Sequence, residues 1–199
     1  MAKPGFLCGI LVAAALAGCQ GHSARSSFYV LNPIEASARP TSLPGKIGVI
    51  GIGPVEIAKY LDRPQVVTRH GRNEIRISDS HLWAAPLKYD LARLITQNLA
   101  ILLEGSETVS YPWKNAERVR YEVKISIQRL DVEKSSAVLW ADWSIREIRS
   151  RVNSPVFRVK IEVPLSGRAY SEKVFAINET LNRFSAEIAR GFMNFLGNH

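Results

Sequence analysis

Four residues, Leu16-Ala17-Gly18-Cys19, limit what the rest of the chain can become. Ahead of them, Met1 to Gly5 carry one lysine and no acid, and Phe6 to Ala15 are almost wholly apolar. A cationic start, an apolar middle and small residues at the end make a secretory signal with its processing site. At about 1.5 Å of rise per residue, so short an apolar run does not reach across a hydrocarbon core roughly 30 Å thick, which disfavours a spanning helix. Residues 1–18 are therefore expected to be removed. The sequence has two cysteines, Cys8 inside that segment and Cys19 at its boundary. The folded part then has no thiol for a disulfide, a zinc site or a nucleophile, and in an oxidising compartment it must rely on an ordinary apolar core. Loss of 18 residues from 199 leaves 181, enough for one domain with a sizeable core and too few for two.

The formal charge is +8, from 26 basic and 18 acidic residues, and loss of Lys3 with the signal leaves +7. In a cytosolic chain that balance would raise nucleic-acid binding first; export removes that partner. Two readings of the charge stay open. It is either a solvated face, or Arg-rich stretches around Arg69, Arg72 and Arg76, or Arg146, Arg149 and Arg151, meet an acidic protein or anionic lipid head groups.

Gln20 to Ser27 is small and polar, so residues 19–27 are expected to form a flexible tether and residues 28–199 the domain. Phe28 to Leu31, stopped by Asn32-Pro33, reads as a first strand, and Glu35 to Gly45 as a loop. Lys46 to Gly53 has no polar face and reads as a strand covered on both sides. Val66 to Thr68 and Ile75 to Ile77, around turn residues His70 to Asn73, predict a hairpin. From Pro86 the residues Leu87, Leu91, Leu94, Ile95, Asn98 or Leu99, and Leu102 recur at helical steps up to Gly105. Alternation then predicts strands over 121–128, 139–146 and 157–163, with a short one near Val109 to Tyr111, each with one buried and one wet face. From Ser171 an apolar stripe through Val174, Ile177, Leu181, Phe184, Ile188, Phe192 and Phe195 predicts a long C-terminal helix. The expected fold class is α+β: a single domain with a mixed, largely antiparallel sheet packed by two long helices.

Catalytic signatures are missing. The sequence has no phosphate-cradling Gly-rich loop with Lys, no nucleophile elbow and no His-Glu-x-x-His helix. His22, His70, His81 and His199 lack ligand spacing, and Asp79 near Glu74 reads as solvated charge. No enzyme, metal site or cofactor is expected.

The small-residue end before Cys19 resembles the lipobox of bacterial lipoproteins, which implies diacylglycerol on the Cys19 thiol as the first residue of the mature chain. Three further segments follow in order: Phe28 to Leu31, Tyr60-Leu61-Asp62-Arg63-Pro64-Gln65, and Trp83-Ala84-Ala85-Pro86-Leu87. With these motifs the chain resembles the auxiliary lipoproteins of ABC-type transport systems, the PqiC-like family, over nearly its whole mature length. It departs from the family's pattern at Ala58, often Pro, and at Ala85, often Glu. The resemblance implies a periplasmic lipoprotein lipid-anchored in the outer membrane. Such a protein assists an MCE-domain protein and ABC/permease transport components that move lipids or related hydrophobic compounds between membranes. Gln20 after the lipidated cysteine is consistent with outer-membrane sorting. A ring-like homo-oligomer is compatible with a docking role. The alternative is a periplasmic lipid or small-ligand binding module, with a structural lipoprotein of outer-membrane assembly as a third. Tyr60, Arg63 and Trp83 are either packing at a turn and a helix start or a contact patch for the partner, since aromatic residues and Arg dominate protein interfaces.

Overall fold

In the computed structural model, residues 25–35 and 47–197 are described. The expected signal segment, Cys19, the expected tether up to residue 24, residues 36–46, which hold most of the expected loop, and residues 198–199 lie outside the described residues. The elements in chain order are β1 (Ser27–Tyr29), β2 (Val49–Ile57), β3 (Gln65–His70), β4 (Glu74–Trp83), α1 (Leu87–Leu102), β5 (Glu107–Ser110), β6 (Val119–Glu133), β7 (Ser136–Glu147), β8 (Phe157–Pro164) and α2 (Tyr170–Gly197).

The fold is built around β6. Its outer neighbours β7 and β8 follow as an antiparallel meander, and its other edge is shared. The first half takes β2 in parallel, from Val49 opposite Val119 to Ile57 opposite Ile127. The last residues take β3, also in parallel, with Thr68 opposite Val132 and Arg69 opposite Glu133. β5 pairs outside β2; β4 pairs outside β3 and carries β1. The result is one eight-stranded mixed sheet. Between β2 and β3 the chain leaves the edge at Ala58, whose N–H still donates to the Ile127 carbonyl at 2.9 Å, and makes a short 3-10 turn at Lys59–Leu61 before it returns.

The parity of β6 changes along its length. Tyr121, Val123, Ile125 and Ile127 are buried in the core, then the register against β7 shifts between Ile127 and Arg129, and Leu130 and Val132 become the core-facing residues. An extra residue at a bulge reverses which positions face each side. The reversal sends Arg129, Asp131 and Glu133 to the face away from the core.

Both helices cover one face of the sheet, α1 over β2 and β5, α2 over β7, β8 and β6, and they touch each other. Leu94, Ile95, Leu99, Phe184, Ile188 and Phe192 on the helices meet Ile50, Ile52, Val123 and Leu139 on the sheet, all at 0% exposure. Each such side chain contributes about 1.5–3 kcal/mol on burial. The contact is closest at Gly191, where an added Cβ would overlap the Trp143 ring, itself stacked on Phe157 at 4.4 Å between centroids.

Polar side chains of both helices hold the extended segment that follows β1. The Leu31 N–H donates to Asp90 at 3.1 Å and Ile34 N–H to Asn98 at 2.9 Å. Asn178 accepts from the Asn32 N–H at 2.7 Å and donates to its carbonyl at 2.9 Å. Arg93 donates to the Leu31 carbonyl at 2.5 Å. Asn98 on the apolar stripe of α1, wholly buried, is thus satisfied by backbone and by Asn182 and Ser185 of α2.

The α+β sheet with two long helices agrees with expectation, and several boundaries move. β1 begins at Ser27, inside the expected tether, and ends before Leu31. β2 runs on to Ile57, and β4 extends to Trp83, so the Trp-Ala-Ala-Pro segment ends a strand before it starts a helix. α2 begins at Tyr170, one residue before the expected Ser171 cap. His81 ties three elements: it bonds the Tyr29 hydroxyl at 2.8 Å and stacks on Tyr170 at 3.8 Å.

Alanine ordinarily favours a helix interior over glycine by about 1 kcal/mol. Gly191→Ala should do the opposite here and lower stability by about 1–3 kcal/mol, because the Trp143 ring has to move. Chemical denaturation of the purified domain checks the sign.

Candidate functional site

The Tyr60-to-Gln65 segment forms the excursion between β2 and β3. Tyr60 reaches back from the 3-10 turn, and its hydroxyl donates to Asp131 Oδ2 at 3.1 Å. The same oxygen accepts from Arg69 Nε at 3.2 Å and Nη2 at 3.0 Å, while Oδ1 takes Arg129 Nε at 2.9 Å. Arg129 also holds Glu133 at 2.6 Å. Asp131 is at 0% exposure, so its charge is compensated entirely by these donors. A buried ion cluster of this kind adds little net stability, yet removal of one partner strands the others.

The electrostatics follow from the geometry. Burial raises the Tyr60 phenol above its ordinary value and the Asp131 charge adds to the rise. For Arg69 and Arg129 burial is the largest single influence and opposes the charge, but hydrogen bonds and charge attraction to Asp131, joined at Arg129 by Glu133, together outweigh it and hold both guanidinium groups protonated more firmly than usual. Arg129 hydrogen-bonds to Glu133, the first cause of that carboxyl titrating below the usual range.

Of the three residues singled out in sequence, Tyr60 and Arg63 come together: Arg63 Nε donates to the Tyr60 carbonyl at 2.8 Å and closes the turn. Trp83 sits in the core at 6% exposure, and its N–H donates to the Pro64 carbonyl at 2.6 Å, which joins the end of β4 to the same turn. The segment is thus a brace, with Trp83 below it and Asp131 beside it. Cys19 lies outside the described residues.

Beyond the clamp, the uncovered face of the sheet carries residues that sequence reading left unassigned. Arg129 on β6, Trp140 on β7 and Lys160 on β8 are directly opposite one another. Trp140 is 45% exposed, and the Arg129 guanidinium lies over its ring at 5.5 Å from the centroid. On its two sides are open clefts of about 590 Å³, bordered by Gln128, Asp142, Arg158 and Lys160, and about 500 Å³, bordered by Arg69, Arg72, Arg129 and Glu133. A tryptophan on the polar side of an alternating strand was the available signal for this face. Among the described residues no group of His, Cys, Asp and Glu could hold a metal ion, and no helix is long and apolar enough to cross a membrane.

Fold and site together define a single α+β domain whose sheet has one face sealed by two helices and the other open, polar and braced from the edge by a buried carboxylate. The family model for the ABC-type transport auxiliary lipoprotein component matches residues 29–189, and the chain belongs to that family. The fold is similar to that of an uncharacterised protein of known crystal structure, with TM-score 0.70 and 19% identity over 85% of this chain and 99% of that one. It is also similar to protein XCC0632 from Xanthomonas campestris, of the DUF330 family, with TM-score 0.64 and 14% identity over 81% and 92% of the two chains. The hypothetical protein CT253 from Chlamydia trachomatis has TM-score 0.50 and 12% identity over 76% of this chain and 99% of that one. No curated protein matches the chain.

Tyr60→Phe removes a hydrogen bond to a buried carboxylate and should cost about 1–3 kcal/mol near neutral pH. Since the phenol's value is raised on folding, its contribution is fully present below the ordinary tyrosine value of about 10 and is lost as pH rises through the raised one. The gap between wild type and Tyr60→Phe in urea melts should therefore shrink above about pH 10.

Proposed function

We propose that this chain is an outer-membrane-anchored periplasmic lipoprotein, held by acyl chains on Cys19, that acts as a non-enzymatic docking subunit for an MCE-type or ABC-type transporter of lipids or related hydrophobic compounds. Membership of the transport auxiliary lipoprotein family supports the setting. The observation that carries docking rather than carriage is the filled interface between sheet and helices, where Leu94, Ile95, Phe184 and Ile188 all have 0% exposure. A carrier needs a concave, mostly apolar cavity of hundreds of Å³ that encloses its ligand. Here the two large clefts described above lie on the polar outer face instead.

Anchoring at Cys19 accounts for the membrane without a spanning segment: each buried CH₂ contributes about 0.8 kcal/mol, so several acyl chains hold a domain firmly. Cys19→Ser should leave a folded protein that is absent from the membrane fraction and inactive in cells. Full membrane retention after washing would rule the lipoprotein reading out.

Tyr60, Arg63 and Trp83 enter this reading as partner-binding elements of unequal kind. On this reading Arg63 and Tyr60, both half-buried at the turn, take part in the contact with the partner, and Trp83 supports them from the core. Arg63→Ala should weaken pull-down of the MCE-type component about tenfold or more with the melting transition kept. Trp83→Ala should lower the melting temperature before binding can be read.

A further inference from the structure

The docking reading puts part of the contact at the Tyr60 turn and leaves the rest of the partner's footprint open. The outer face around Trp140 supplies what an interface needs and what the interior does not use. Both carboxylates bordering the two clefts are already engaged, Glu133 by Arg129 at 2.6 Å and Asp142 by Arg158 at 3.1 Å, and the buried Asp131 beside them is held by three donors. The cations are not exhausted. The Arg72 guanidinium has no partner among the described residues, and only its backbone carbonyl is used, by Arg69. Lys160 is 3.7 Å from Glu162 in an exposed pair, a contact worth little and readily exchanged. Unused capacity on this face is therefore cationic hydrogen-bond donors, arranged around a half-exposed indole.

We propose that the Trp140 face, with Arg72, Arg129 and Lys160 around the ring, is the docking surface for an acidic segment of a partner protein. The proposal rests on the docking reading above and deepens it. Trp and Arg are the side chains that most often anchor interfaces, and Trp140 has an Arg and a Lys opposite it on the two neighbouring strands. A protein segment fits better than a lipid because the clefts are open and Trp140 borders both, whereas small-ligand sites enclose most of their ligand. The motif residue Tyr60 acts from behind: through Asp131 it fixes Arg69 and Arg129 and thereby the position of the guanidinium over Trp140.

The test uses the full-length protein and two variants, Arg72→Glu/Lys160→Glu and Trp140→Ala. The probes are the MCE-type component by pull-down, a short polyglutamate peptide by titration calorimetry, and phosphatidylglycerol vesicles by flotation of the Cys19→Ser form. Expected are polyglutamate binding that weakens with added salt, and loss of both polyglutamate and component binding by about tenfold or more in each variant, with melting unchanged in the double variant. Component binding equal in wild type and both variants overturns the assignment of the face and leaves docking standing. Polyglutamate binding without any component binding overturns docking and supports the face. Vesicle binding that the double variant loses, with no polyglutamate binding, overturns a protein partner in favour of lipid head groups.

Discussion

The fifteen residues of β6 have to satisfy two demands that a regular strand cannot meet together. Along its first half the strand pairs with β2 and sends odd-numbered residues into the core; along its last turn of pleat it pairs with β3 and sends even-numbered ones. The bulge at Gln128 and Arg129 reconciles them, and its side effect is a carboxylate, Asp131, placed where β3, β6 and the returning turn converge. An ionised group there is tolerable only with donors on every side. Tyr60, Arg69 and Arg129 supply them, so the strand irregularity, the excursion between β2 and β3 and the cationic outer face form one arrangement.

This gives the Tyr-Leu-Asp-Arg-Pro-Gln segment a physical meaning. Its residues shape the junction at which one edge of β6 is handed from β2 to β3: Tyr60 points to the carboxylate, Arg63 closes its own turn, and Pro64 receives the end of β4 through the Trp83 N–H. A surface that relies on the orientation of Arg69 and Arg129 depends on this brace although most of the brace is not itself at the surface. The helices do their work on the opposite face, where packing is tight enough that Gly191 leaves no room for a methyl group beside Trp143.

Much of this was readable from residue patterns, for identifiable reasons. β6, β7 and β8 have one wet face, so alternation marks them; the two helices have long apolar stripes, so periodicity marks them. The pairing of β2 and β3 with the same edge of β6 joins residues far apart in sequence, and no local pattern encodes it. The step from Ile127 to Leu130 broke the alternation and was the only trace of the bulge. Asn98 stood beside Leu99 as an alternative member of the α1 stripe, and the structure shows why a polar residue is there: it satisfies backbone from another part of the chain. Tyr60 and Trp83 could be read either way because aromatic residues serve cores and interfaces alike; only the three-dimensional arrangement separates the brace from the exposed ring of Trp140.

The fastening of Leu31 to Ile34 between the helices has a mechanical consequence. Under the proposed anchoring at Cys19, a pull on the N-terminal side would enter the described domain at Arg25 and reach β1, whose ladder to β4 is only three pairs long. Three pairs alone would peel apart. Beyond them the backbone is stitched to Asp90, Arg93 and Asn98 on one helix and to Asn178 on the other, so tension spreads sideways into both helices and through them into the core. Several bonds must then fail together for the chain to unravel from its N-terminal end, which suits the proposed role of a domain held between a membrane and a transporter.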